Sequence, residues 1–146
     1  MYRVREGELE FLLVHPGGPL WEEKDAGIWS IPKGEIHPGE DLLEAAKREF
    51  EEELGSKADG TFIQLSPIKQ KSGKIVHAWA FAGDCDPGSI RSNMFSMEWP
   101  PHSRRTGTFP EVDRAAFFKL KQAKTRINPA QVPLLEELRQ KLACGA

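Results

Sequence analysis

One stretch constrains this chain more than any other: Gly34 to Ser56, GEIHPGEDLLEAAKREFEEELGS. It opens on a loop with Gly34, Pro38 and Gly39, then runs into a helix expected from Asp41 to about Leu54, with Gly55 as its stop. Leu43, Ala46, Phe50 and Leu54 recur at helical spacing and define the face expected to meet a core. At 100° per residue Glu49 and Glu53 lie close together, with Glu52 at the edge of the same arc. That arc sits beside the apolar face, so the carboxylates are expected at the rim of the core, facing a groove. Ala45 is one turn before Glu49 and leaves space there. Arg48 is four residues before Glu52 and can pair with it.

So many acids on one short helix repel one another unless a cation intervenes. Oxygen ligands alone suit hard ions, Mg²⁺ or Mn²⁺, which keep waters and take further ligands from substrate phosphates. Such an ion neutralises phosphate charge and activates a water. Acidic runs are also simply solvated helix faces, and Glu51 reads as one. The adjoining loop strengthens the metal reading, because Gly34 and Gly39 let backbone carbonyls approach an ion.

The rest of the chain reads as β-rich. Met1–Arg5 and Leu9–His15 are expected to form a hairpin turning at Gly7. Leu9, Phe11 and Leu13 fall on one face of its second strand and Leu12 and Val14 on the other, the pattern of a strand buried on both sides. Ile28–Ile31 reads as a short strand ended by Pro32. Thr61–Lys71 and Lys74–Phe81 read as a second hairpin around Ser72-Gly73. Asn93–Trp99 and Val112–Phe118 read as further strands, with a basic irregular loop, Pro100–Pro110, between them. Lys119–Ile127 is expected to be helical. Asn128-Pro129 looks like the start of a last helix, with Val132, Leu135, Leu138 and Leu142 as its apolar stripe. This order of elements implies an α+β sandwich rather than repeated βαβ units.

At 146 residues the chain suits one domain. A net charge of −2 argues against an extended nucleic-acid or membrane-surface footprint. No apolar run approaches the ~18 residues of a membrane span, and no signal peptide is evident. Cys85 and Cys144 fit no metal spacing and read as free thiols. A cytoplasmic protein is expected. None of His15, His37, His77 and His102 shares a ligand spacing.

The central stretch resembles the Nudix box, G-x5-E-x7-R-E-U-x-E-E-x-G-U, where U is bulky and aliphatic. Gly34, Glu40, Arg48, Glu49, Phe50, Glu52, Glu53 and Gly55 stand at the required spacings. Phe50 is aromatic instead of aliphatic, and Ser56 replaces the last aliphatic residue. Trp29-Ser30-Ile31-Pro32-Lys33-Gly34 resembles the lead-in of MutT-like members. The resemblance implies a Nudix fold, a mixed β-sheet sandwiched between helices, and hydrolysis of a nucleoside diphosphate linkage by water attack on phosphorus.

Carried onto this chain, it implies Glu49, Glu52 and Glu53 as ligands of Mg²⁺ or Mn²⁺, joined by the Gly34 carbonyl. Glu49, or alternatively Glu52 or Glu53, is the general base. Arg48 orients a carboxylate, and Glu40 holds the loop to the helix. Glu111, favoured over Glu98, is a further acid for the metal or the base. Lys33, Trp29 and Arg105 are candidate substrate contacts, with Arg104 beside Arg105; Tyr2, Trp99 and Phe109 are other possible stacking surfaces. The implied partner is a small nucleotide polyphosphate, an NTP or a dinucleoside polyphosphate. ADP-ribose or a sugar nucleotide, an RNA 5′ end, and a Nudix-fold binding module without turnover are the alternatives.

Overall fold

The computed structural model describes residues 1–34 and 37–144. Part of the glycine-rich loop, at positions 35 and 36, lies outside them. The first hairpin forms as its alternation implies: β1 is Tyr2–Arg5 and β2 is Glu8–Pro16. Glu6 and Gly7 turn it with φ of 52° and 78°. Glycine is at ease in that left-handed region. Strand β9, Val112–Lys119, pairs antiparallel with the other edge of β2, so β2 is central in a three-stranded sheet.

Its two faces meet different cores. Phe11 and Leu13 belong to one cluster with Trp29, Ala123, Ile127, Leu134, Leu135 and Leu138. Leu12 and Val14 belong to a second with Phe50, Leu54, Ala58, Phe81 and Val112. Helix α1, Leu42–Leu54, covers the second face. Helices α2, Leu120–Arg126, and α3, Val132–Cys144, contribute to the first. Each large apolar side chain buried this way contributes about 1.5–3 kcal/mol. The result is an α+β sandwich whose ladders are all antiparallel; the parallel component comes from isolated bridges, Tyr2 with Ala82 and Trp29 with Ile127.

Several elements differ from the sequence expectation. Ile28–Ile31 is not a strand but two isolated bridges, because Gln131 Oε1 takes the Ile31 N–H (3.0 Å) and Pro32 has none to give. The second hairpin breaks into two-residue strands: β3 (Ile63–Gln64) with β6 (Trp79–Ala80), and β4 (Ile68–Lys69) with β5 (Ile75–Val76). The break falls at Ser66-Pro67, where proline cannot donate and Glu137 accepts the Ser66 N–H at 2.8 Å. The basic loop is half strand. Thr106–Pro110 forms β8 and pairs with β7, Met94–Glu98, placing Phe95 opposite Phe109. Asn128 caps a short 3₁₀ turn, Pro129–Gln131, and α3 follows it at Val132. Among the described residues no helix is long and apolar enough to cross a membrane.

Candidate active site

Helix α1 starts where the Asp41 carboxylate accepts the Glu44 N–H at 3.2 Å. It ends at Gly55, whose φ of 73° and N–H to the Glu51 carbonyl (2.7 Å) close the last turn. Ala45, Phe50, Glu53 and Leu54 are its buried residues. The hidden face is therefore rotated from the expected one: Leu43 and Ala46 are only partly covered, because they line a cavity, and Glu53 is inside.

That burial makes Glu53 the unusual acid of the site. Its Oε2 accepts the Lys33 backbone N–H at 3.2 Å. Loss of solvent pushes its carboxyl up to about 8, and the charges of Glu49 and Glu111 push the same way. Glu49 lies one turn earlier and touches the loop: a Cβ added to Gly34 would collide with the Glu49 carboxylate. Only glycine lets the two approach so closely.

Arg48 gathers the other acids. Its Nη1 donates to Glu49 Oε1 (2.9 Å) and to Glu52 Oε2 (3.0 Å). Its Nε and Nη2 hold both oxygens of Glu40, at 2.8 and 2.9 Å. These bonds raise the Arg48 guanidinium and, with the His37 N–H, lower the Glu40 carboxyl to about 2. Glu40 thus ties the end of the loop to the helix, the supporting role expected of it. Glu51 is exposed, as a solvated residue should be.

Glu111, between β8 and β9, is tied to the end of α1 through a backbone relay. The Glu52 and Leu54 carbonyls accept from Asn93 and Arg91 (2.9 and 3.2 Å), the Asn93 carbonyl accepts from Glu111 (2.8 Å), and the Glu111 carbonyl accepts from Gly17 (2.9 Å). The Glu111 carboxyl is raised by partial shielding from water, then by the charges of Glu49 and Glu52. Glu98 instead accepts the His102 N–H at 2.8 Å, within the β7–β8 turn. Of the two acids, Glu111 is the one brought to α1.

The substrate contacts expected from sequence divide. Lys33 lines a cavity of about 490 Å³ together with Gly34 and Glu49. Its ammonium is lowered by burial and by the neighbouring charge of Lys74. Trp29 must be withdrawn as a stacking surface. It is 3% exposed, its Nε1–H donates to Asp25 at 2.6 Å, and Phe118 and His15 lie edge-on to its ring. Arg105 is exposed near the tip of the β7–β8 hairpin, with Arg104, away from the acids at its base. Phe109 packs on Phe95 in the same hairpin. Lys74, which no motif marks, joins Lys33 at the cavity.

The donor set fits a hard divalent ion in chemistry: four carboxylates coupled to one another beside a glycine loop. As they stand, no three metal-ligating side chains among the described residues converge on one point, and Arg48 engages two of the acids.

Comparison with known proteins agrees on one family. The NUDIX domain matches residues 1–138. The chain is 31% identical over 83 residues to the asymmetrical bis(5′-nucleosyl)-tetraphosphatase of Rattus norvegicus, covering 53% of this chain and 52% of that protein. It is 26% identical over 115 residues to the CTP pyrophosphohydrolase of Escherichia coli, covering 79% and 73%. It is 53% identical to the RNA pyrophosphohydrolase of Erythrobacter litoralis over only 38 residues, 26% of this chain and 23% of that one. Among solved structures, a Caenorhabditis elegans Ap4A hydrolase binary complex superposes with a TM-score of 0.68 at 23% identity, covering 98% of this chain and 94% of that one.

Proposed function

Since this chain belongs to the NUDIX domain family, we propose that it hydrolyses a diphosphate linkage in a nucleotide polyphosphate, an NTP or a dinucleoside polyphosphate. The observation that carries this reading is Glu49 packed against Gly34 and Glu53 bonded to the Lys33 N–H, with Glu111 and Glu52 within electrostatic reach of them, beside a cavity of about 490 Å³. The curated relatives named for a tetraphosphatase and a CTP pyrophosphohydrolase support the substrate class.

In this reading Glu49, Glu52 and Glu53, with the Gly34 carbonyl, hold Mg²⁺ or Mn²⁺. The ion, when bound, neutralises phosphate charge and lowers the pKa of an attacking water. Glu53 would have to be ionised to serve as a ligand, and its Oε2 accepts the Lys33 backbone N–H at 3.2 Å. Arg48 holds Glu49 and Glu52 in register through Nη1. Glu111, raised by shielding from water and then by the charges of Glu49 and Glu52, is a base that can take a proton from water, with Glu49, Glu52 or Glu53 as the other candidates. Lys33 faces the phosphates from the loop. A cytoplasmic setting, where nucleotides are abundant, belongs to the same reading.

The test is release of phosphate or pyrophosphate from a nucleotide panel, with and without Mg²⁺, and with products identified. Turnover that depends on Mg²⁺ and falls at least ~100-fold in Glu52→Gln is expected, since even outer partners of metal ligands cost about 10–100-fold. Full activity in Glu52→Gln would remove the metal assignment. Tight nucleotide binding with no product would make the chain a binding module.

A further inference from the structure

Three polar side chains among the described residues are buried: Glu53, Gln131 and His15. Glu53 belongs to the acid cluster, and Gln131 takes the Ile31 N–H. His15, near the end of β2, joins two other segments. Its Nε2 is 2.6 Å from the Lys24 carbonyl, in the loop that follows β2. A carbonyl can only accept, so Nε2 carries the hydrogen of that bond. Its Nδ1 is 2.7 Å from Asp113 Oδ1 on β9. Arg114 reaches the same oxygen only loosely, at 3.8 Å.

Asp113 is where the β2–β9 ladder changes register. His15 stands opposite Arg114 and Pro16 opposite Val112, so Asp113 is an extra residue with no partner across the ladder. A bulge of this kind re-aims the side chains near it. Side chains alternate with period two, so one extra residue reverses the face shown by the residues before it. Two residues before it is Glu111, whose backbone is held on every side. Its N–H goes to the Asn93 carbonyl (2.8 Å), its carbonyl accepts from Gly17 (2.9 Å), and the next N–H, that of Val112, goes to Ser92 Oγ (3.0 Å). Asn93 in turn donates to the Glu52 carbonyl on α1 at 2.9 Å. Gly17 fits there for want of a side chain, since a Cβ on it would stand 1.9 Å from the Pro110 carbonyl oxygen.

We propose that His15 is a positioning residue for Glu111: by holding the bulge at Asp113 it fixes the β9 register that turns Glu111 toward the acids of α1. What Glu111 then does rests on the hydrolase reading above, but the positioning itself is read without turnover.

The experiment pairs amide hydrogen exchange of the metal-free protein, followed by NMR, with Mg²⁺-dependent turnover. The variants are His15→Gln, His15→Asn and Asp113→Ala, each also combined with Glu111→Gln. Asparagine places its amide near the Nδ1 position and still reaches Asp113, whereas glutamine places it near Nε2 and does not. Asp113 is 28% exposed, so Asp113→Ala breaks the same bond from the solvent side should His15→Gln fail to fold. In His15→Gln and Asp113→Ala the Gly17 and Glu111 amides should exchange about tenfold faster, the size of one lost hydrogen bond. The Leu138 amide on α3 should be unchanged. Their kcat should fall about 10–100-fold with KM near its native value, as for a group that orients a working carboxylate. His15→Asn should recover most of both losses. In the Glu111→Gln background, His15→Gln should cost no further turnover. Unchanged exchange at Gly17 and Glu111 in the folded variants would overturn the proposal. So would equal losses in His15→Asn and His15→Gln, or a full further loss on top of Glu111→Gln, since a histidine that only fills the core would give both. The same exchange pattern in a protein that hydrolyses no nucleotide would leave the positioning standing and remove only the hydrolase reading.

Discussion

Helices α1 and α3 are the same length, 13 residues each, and are built to opposite ends. α3 buries Leu134, Leu135 and Leu138 and leaves its acids half-exposed. There Glu137 accepts from Ser66 and pairs with Lys141 at 3.2 Å, and Glu136 pairs with Lys124 and Arg139. α1 gives one of its four buried positions to Glu53, and has Glu49 and Glu52 share a single guanidinium with Glu40. Its last turn has no basic residue to match the helix dipole, and the backbone N–H groups of Arg91 and Asn93, just before β7, take up its end carbonyls instead. The difference teaches where stability yields to chemistry. A helix that only had to hold the fold would place an apolar side chain at position 53; this one keeps a carboxyl there at a cost.

The largest expected effect breaks that contrast directly. Glu53→Gln should lower metal-dependent turnover at least ~100-fold while making the metal-free protein more stable at alkaline pH. The sign follows from the shift. The folded carboxyl titrates near 8, above its ordinary 4.5. Its stabilising contribution is therefore complete below about 4.5, declines as pH rises, and is lost once pH passes about 8. Unfolding free energies from urea titrations in chelator should fall for the native sequence relative to the variant between pH 5 and 9, by on the order of a few kcal/mol. Equal slopes would mean that Glu53 is not the strained acid.

On α3 the corresponding test is Leu138→Ala. This side chain is 5% exposed and packs in the cluster with Phe11 and Leu13. Its loss should cost about 2–5 kcal/mol in a denaturant titration. It should leave kcat dependent on Mg²⁺ as before, at a temperature where the variant is folded. A loss of turnover as severe as that of Glu53→Gln, without unfolding, would erase the division of labour between the two helices.

How much of this was legible in the sequence depended on how local the cause was. The ends of α1 were legible because Asp41 and Gly55 act within one turn. The double burial of β2 was legible because alternating positions were apolar on both faces. Spacing paired Arg48 with Glu52, and that bond forms; the bond from Arg48 to Glu49 is an addition the spacing did not announce. Glu53 was expected at the rim and lies inside, since its depth is set by Lys33 and by residues packed from other elements. Trp29 looked available for a ligand, but Asp25, His15 and Phe118 enclose it. The strand Thr106–Pro110 was hidden because Phe109 is its one large apolar side chain and glycine and proline interrupt it. What holds it in place is its partner β7, with Phe95 facing Phe109. Lys74 carries no local signal at all; it comes beside the cavity only because distant segments build that cavity.

The smallest effect sharpens the comparison on the solvent side of α3. Lys141 Nζ lies 3.2 Å from Glu137 and donates to the Gln64 carbonyl at 2.7 Å, with its side chain 44% exposed. A pair so open to water is screened and gives up side-chain entropy to hold its geometry, so Lys141→Ala should cost at most about 1 kcal/mol. The cost should shrink further in high salt. Arg48 gathers its acids with its side chain 24% exposed; Glu49 on α1 is 13% and Glu40 in the preceding loop 19% exposed, with Glu52 the outermost partner at 35%. Arg48→Ala should therefore depend less on salt than Lys141→Ala, and it should depress turnover as well as stability, because it frees Glu49 and Glu52 from their common guanidinium. Paired denaturant titrations at low and high salt check both. If the two variants respond to salt alike, the acids of α1 are no more sheltered than those of α3, and the burial that sets Glu53 apart stops at that one residue.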